Sequence, residues 1–168
     1  MDFKIQWFPG HMTKAKRMME QQLKLVDVVV EMLDARVPRS STNPMLNQLL
    51  GQKPKIIALN KVDMADPAKT EAWKDIFKNN GLPVCVIDCN TGKGVKQLVA
   101  AVQKAAQPVI DKWLKRGVKN RSIRVMIVGI PNVGKSTLML AKTKCWRPIN
   151  RALRAGSSGL PLPKGWSF

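Results

Sequence analysis

The stretch Gly129-Ile130-Pro131-Asn132-Val133-Gly134-Lys135-Ser136-Thr137 constrains this chain more than any other, because it calls for a strand behind it and a helix ahead of it. The apolar run Ile123 to Val128 supplies the strand, and a helix opens near Lys135. The string fits G-x-x-x-x-G-K-[ST]. Gly129 and Gly134 let the backbone wrap closely around an anion, so that the N–H groups of Asn132, Val133 and Gly134 and the helix N-terminus face phosphate. Lys135 is expected to reach the β and γ phosphates, Ser136 to ligate Mg²⁺ through its hydroxyl, and Thr137 to contact the α phosphate. A fortuitous Gly-rich turn is the alternative, and the strand-loop-helix setting speaks against it.

A second string, Asn60-Lys61-Val62-Asp63, looks like the guanine-selecting N-K-x-D of nucleotide-binding domains. The two carboxylate oxygens of Asp63 suit the N1–H and exocyclic amine of guanine, whereas adenine offers an acceptor at N1 and no 2-amino group, so GTP is selected over ATP. Asn60 either holds the O6 and N7 edge of the base or ties its own loop to the phosphate loop, and the stem of Lys61 covers the base face. Taken alone, N-K-x-D is also what an ordinary strand end with a helix-leading Asp produces. A phosphate loop in the same small domain favours the paired reading, although the usual order is reversed: the base-selecting string comes first.

The rest of the chain alternates strand and helix patterns. Val26 to Leu33 and Lys55 to Leu59 are apolar, β-branched runs ending in Asp34 and Asn60, as buried parallel strands do. Asn43-Pro44 starts a short helix through Leu50, and Asp66-Pro67 caps a longer one reaching about Asn80. Val84 to Ile87 is a third strand, the turn from Asp88 to Gly94 follows, and Val95, Leu98, Val99 and Val102 recur at helical spacing toward Trp113. These βαβ units predict an α/β fold with a parallel sheet whose ligands bind at the C-terminal strand ends, where both strings sit.

A net charge of +18 on 168 residues points to a polyanionic partner, nucleic acid before membrane, since no strongly apolar amphipathic helix accompanies it. The excess survives removal of Lys142, Lys144, Arg147, Arg151, Arg154 and Lys164 in the acid-free C-terminal stretch. Lys112, Lys115, Arg116, Lys119, Arg121 and Arg124 form one basic cluster, and Lys4, Lys14, Lys16 and Arg17 another beside Trp7, Phe8 and His11; a solvated basic face is the alternative for each. The apolar runs are too short to span a bilayer and no signal peptide is visible, so the expected location is the cytoplasm. Cys85, Cys89 and Cys145 fit neither a metal half-site nor a disulfide framework.

Together with Ile5 to Met12, Asp34-Ala35-Arg36-Val37-Pro38 and Asn43-Pro44, the two strings resemble the circularly permuted P-loop GTPases. The resemblance covers residues 5 to about 138 and implies a three-layer sandwich with a mostly parallel sheet. It also implies a second base-contacting loop at Asp88 and Cys89, where relatives commonly carry serine in place of Cys89. GTP and GDP are the implied ligands, with Mg²⁺. The implied function is GTP hydrolysis in late maturation of the large ribosomal subunit, with its precursor's ribosomal RNA and proteins as partners. Members of this family lack the usual catalytic glutamine, which makes His11 a candidate to position the attacking water; a structural or RNA-contacting His11 stands beside that reading.

Sheets of this family run 2-3-1-4-5-6, and the chain supplies equivalents of 4, 5, 6 and then 1. Strands 2 and 3, which carry the switches, are expected to be missing, leaving the strand at Ile123 to Val128 as an exposed apolar edge. The expected organisation is a basic N-terminal segment at 1–17, an incomplete permuted G domain at 18–142 and an irregular basic tail at 143–168 that fits an out-of-frame translation. Two other functions are a nucleotide-responsive RNA-binding module without hydrolysis and an ATP-using P-loop protein.

Overall fold

In a computed structural model, the structure describes residues 17, 19–118 and 123–140. Four strands form one sheet: β1 (Val28–Asp34), β2 (Lys55–Asn60), β3 (Val84–Val86) and β4 (Val125–Gly129). Their order is β3-β2-β1-β4, and every pairing is parallel. This is the contiguous block 6-5-4-1 that the permuted order predicts. Among the described residues, the helices between and after the strands are α1 (Pro38–Ser41), α2 (Pro44–Leu50), α3 (Pro67–Asn79), α4 (Val95–Lys115) and α5 (Lys135–Leu140).

Alternation along the strands builds the two faces of the sandwich. Val28, Val30 and Met32 of β1, Ile56 and Ala58 of β2, and Val125 and Ile127 of β4 pack on Leu98, Val99, Val102 and Ala106 of α4 and Leu138 of α5. The opposite face receives Val29, Met126 and Val128 against Leu46 and Leu50 of α2 and against Leu23 of a helical stretch at 19–25. Leu33, Ile57 and Leu59 meet Phe77 of α3 on that same face. Every residue of β1 is buried, as suits a central strand with helices on both sides.

One residue of β1 breaks the apolar run. Glu31 is fully buried, accepts a hydrogen bond from the Asn43 amide at 2.9 Å and pairs with Lys55 Nζ at 2.9 Å, while Lys55 also donates to Asn47. A buried charge requires this kind of satisfaction. It fastens the start of α2 to the sheet.

Asp66 caps α3 as expected, accepting from the amides of Ala68 and Lys69 at 2.8 and 3.1 Å, with Pro67 in the first turn. Among the described residues β4 pairs with β1 alone, so its backbone lies at the sheet edge; its side chains Val125 to Val128 are nevertheless all buried by the helices. The helix α1 and a 3₁₀ turn at Val62–Met64 were not anticipated from periodicity, being too short to show one. His11, the N-terminal basic cluster apart from Arg17, Lys119, Arg121 and the tail 143–168 lie outside the described residues. No helix among those described is long and apolar enough to cross a membrane.

Candidate nucleotide-binding site

The parallel register brings the C-terminal ends of β1, β2 and β4 side by side, and the two motifs with them. Asp34 is the register partner of Asn60, and Met32 of Gly129. Strands end at one rim, so residues far apart in the chain become neighbours there.

Asn60 is the junction. Its side chain is buried; Nδ2 donates to the Val133 carbonyl at 2.8 Å, and Oδ1 accepts from the Cys89 amide at 3.0 Å. Of the two roles anticipated for this residue, the geometry is that of the tie. One amide joins the Asn60–Asp63 segment, the phosphate loop and the loop after β3.

Gly134 makes that junction possible. Its φ is +106°, in the region L-residues avoid, and a Cβ there would overlap Asn60 Nδ2. Gly129 meets a similar constraint, since a Cβ would run into the Met32 carbonyl on the neighbouring strand. Asn132 adopts a left-handed conformation with φ 62°, and so does Lys61 with φ 64°. Among the described residues these are the two non-glycine positions with positive φ, and each lies in one of the two motifs. Backbone held this way persists where surrounding contacts over-determine it.

Val133 and Leu138 anchor the phosphate loop and α5 in the core, while Pro131, Asn132, Ser136 and Thr137 are exposed. Lys135 folds back over its own loop, with Nζ donating to the carbonyls of Ile130 at 2.9 Å and Gly129 at 3.1 Å. Partial burial pushes its pKa down. The ammonium is thus held against the carbonyls of its own loop.

On the base-selecting side, Lys61 Nζ lies 3.3 Å from Asp34 Oδ2, and Asp63 stands exposed on the 3₁₀ turn beside the half-buried Val62. Arg36 clamps Asp34 through Nη2 at 2.7 Å and Nε at 2.9 Å. Its hydrogen bonds, with help from Lys61, hold the Asp34 carboxyl far below the usual carboxylate range. Arg36 is raised in turn, chiefly by Asp34 and also by the charge of Asp63. The pairing of Asp34 with Lys61 was not anticipated; only the strand register reveals it.

The loop after β3 is shaped by Asp88, which accepts from the Thr91 hydroxyl at 2.5 Å and the Asn90 amide at 2.9 Å. Those bonds, Thr91 first, lower its pKa. Cys89 is buried, its thiol pushed up to about 11 by desolvation and by the charge of Asp88. Burial likewise raises Cys85. A groove of about 390 Å³ runs beside β3, lined by Thr70, Lys74, Val86, Lys93 and Gln97, and touches the anticipated residues through Val62 alone.

At the other end of the sheet, Lys112, Lys115 and Arg116 are exposed at the end of α4. Arg124, expected in their cluster, instead faces Asp27 at 3.7 Å, and its backbone amide donates to the same carboxylate at 2.8 Å.

No protein-family model matches the chain. Among curated proteins, a "Ribosome biogenesis GTPase A" of Priestia megaterium is 52% identical over 136 residues, covering 80% of this chain and 47% of that protein. "Short integuments 2, mitochondrial" of Arabidopsis thaliana is 36% identical over 165 residues, covering 95% of this chain and 40% of that protein. The solved structure of GNP-bound YlqF from T. maritima superposes with a TM-score of 0.55 at 34% identity, over 76% of this chain and 47% of its own. The chain spans about half the length of the curated relatives it matches. With the reversed motif order and the β3-β2-β1-β4 sheet, these likenesses identify the fold as that of the circularly permuted P-loop GTPases, and over 80% of its length the chain is similar to ribosome biogenesis GTPase A.

Proposed function

We propose that this chain binds GTP and GDP at the rim joined by Asn60, and that it serves as a GTP-hydrolysing ribosome assembly factor in late maturation of the large ribosomal subunit. The observation that carries the reading is the pair of buried hydrogen bonds at Asn60, which donates to the Val133 carbonyl and accepts from the Cys89 amide and so holds a guanine selector against a phosphate cradle. Asp63 accepts from the guanine N1–H and 2-amine, the stem of Lys61 covers the ring, and Val62 with the loop at Asp88 and Cys89 completes the base pocket. The amides of Asn132, Val133 and Gly134 donate to the phosphates.

Lys135 exchanges its two backbone carbonyls for β- and γ-phosphate oxygens, and Thr137 contacts the α phosphate. Ser136 presents an exposed hydroxyl oxygen at the first turn of α5, a hard donor that fits Mg²⁺. When bound, Mg²⁺ supplies charge neutralisation on the phosphate oxygens. His11 is the residue proposed to position the attacking water.

Names among the relatives support the ribosomal role, as does the cationic surface. Lys112, Lys115 and Arg116 offer phosphate contacts to ribosomal RNA, with ribosomal proteins of the subunit precursor as further partners in the cytoplasm. Titration of the folded chain with GDP, GTP and ATP in Mg²⁺ tests the binding reading. We expect a strong preference for guanine nucleotides that Asp63→Ala removes; an unchanged preference in that variant would refute the assigned pocket. Hydrolysis with and without large ribosomal subunits tests the activity.

A further inference from the structure

Asp34 ends β1 next to Asn60, with its side chain almost buried, at 6% exposure. Four donors converge on its two oxygens. Arg36 contributes Nη2, Nε and its own backbone amide, the last at 3.1 Å, and Lys61 contributes Nζ at 3.3 Å. The Asp34 amide is itself held by the buried Ser41 hydroxyl at 3.1 Å, so the carboxylate is fixed from behind as well as in front.

Lys61 is the residue this arrangement acts on. Its backbone is left-handed, and its ammonium is drawn sideways to the adjacent strand. A lysine stem left loose on a rim samples many rotamers, and ordering it on ligand arrival weakens binding. Anchored at its far end, the stem is already laid out.

Building on the guanine reading above, we propose that Asp34 is a positioning residue for guanine recognition: it anchors the Lys61 ammonium so that the lysine stem is preorganised as a platform for the purine. Arg36 acts one step further out, because its planar fork holds the carboxylate in the orientation that receives Lys61. Asp34 ends β1 and Arg36 follows it, both outside the two nucleotide motifs, and the pair sets affinity for the base rather than for phosphate.

The test is a GDP and ADP titration of the wild-type chain, Asp34→Asn, Arg36→Ala and Lys61→Met, together with each of the first two variants combined with Lys61→Met. Methionine keeps an apolar stem and removes the charge that Asp34 anchors. Asp34→Asn should weaken GDP about tenfold in the wild-type background and less than about twofold in the Lys61→Met background. Arg36→Ala, an exposed position that carries the test if Asp34→Asn does not fold, should weaken GDP about threefold and lose that effect in Lys61→Met. The same loss in both backgrounds would assign Asp34 and Arg36 a merely structural role and overturn the inference, leaving the guanine pocket intact. A wild-type chain that binds GDP and ADP alike would overturn the guanine reading and this inference with it.

Discussion

The two halves of the rim are built differently. The base-selecting half is cross-linked before any ligand arrives: Arg36 and Lys61 converge on Asp34, Asp88 closes its own loop through Thr91 and Asn90, and Asn60 holds the Cys89 amide. The phosphate half is held at Val133 by one bond from Asn60, and otherwise Lys135 is occupied with carbonyls of its own loop. In the proposed function, the difference follows from what each half would meet: a purine has a fixed outline and rewards a rigid pocket, whereas a polyphosphate brings its own charge and can displace an ammonium from neutral carbonyls.

The largest effect should come from severing the link between the halves. Asn60→Ala leaves the Val133 carbonyl and the Cys89 amide buried without that partner, a loss of about 3 kcal/mol in urea denaturation and of about a hundredfold in GDP affinity. Weakened GDP binding with unchanged stability would break the comparison, because the halves would then be coupled only through ligand. Lys135→Ala should separate them the other way. We expect GDP affinity to fall by about tenfold or more, guanosine binding to stay unchanged, and the urea midpoint to move by less than about 0.5 kcal/mol equivalent, since the ammonium gives up only carbonyl contacts.

The acid side of the pH profile sharpens the contrast. Asp34 has a folded pKa below its unfolded value, so its contribution to stability is present above roughly pH 4 and is lost as pH falls through the folded pKa. The stability difference between wild type and Asp34→Asn should therefore stay flat from about pH 8 to pH 5 and shrink only in stronger acid. A difference already shrinking near pH 6 would mean that Arg36 and Lys61 do not hold the carboxylate. The smallest effect belongs to Cys89. The cross-link there uses its backbone amide and the thiol is pushed up to about 11, so Cys89→Ser should change GDP affinity by less than about twofold, and iodoacetamide at neutral pH should leave this thiol largely unmodified in the folded chain.

Local chemistry explains which features were legible in the sequence. The Asp66-Pro67 cap, the apolar runs and the strand-loop-helix around Gly134 are encoded by neighbouring residues, and the sheet order is the one that the resemblance to the permuted GTPases implies. The bridge from Lys61 to Asp34 was not legible, because it depends on the register that sets Asp34 beside Asn60. Glu31 was read as part of an apolar run, and its satisfaction by Lys55 and Asn43 also crosses elements. Asn60 had two chemically reasonable roles until the placement of Val133 and Cys89 selected one. Arg124 counted as one more surface cation until Asp27 was found facing it.

The bond from Asn60 to Val133 joins residues 73 positions apart, and it fixes when the site can exist during synthesis. In synthesis from the N-terminus, β1 and β2 with the Asn60–Asp63 segment precede β4, which pairs on the other flank of β1. A nucleotide that needs both halves stabilises only molecules in which β4 has docked. If the proposed site holds, the inverted order makes the ligand a late inspector of assembly, able to reward chains in which β4 has docked and unable to rescue those in which it has not.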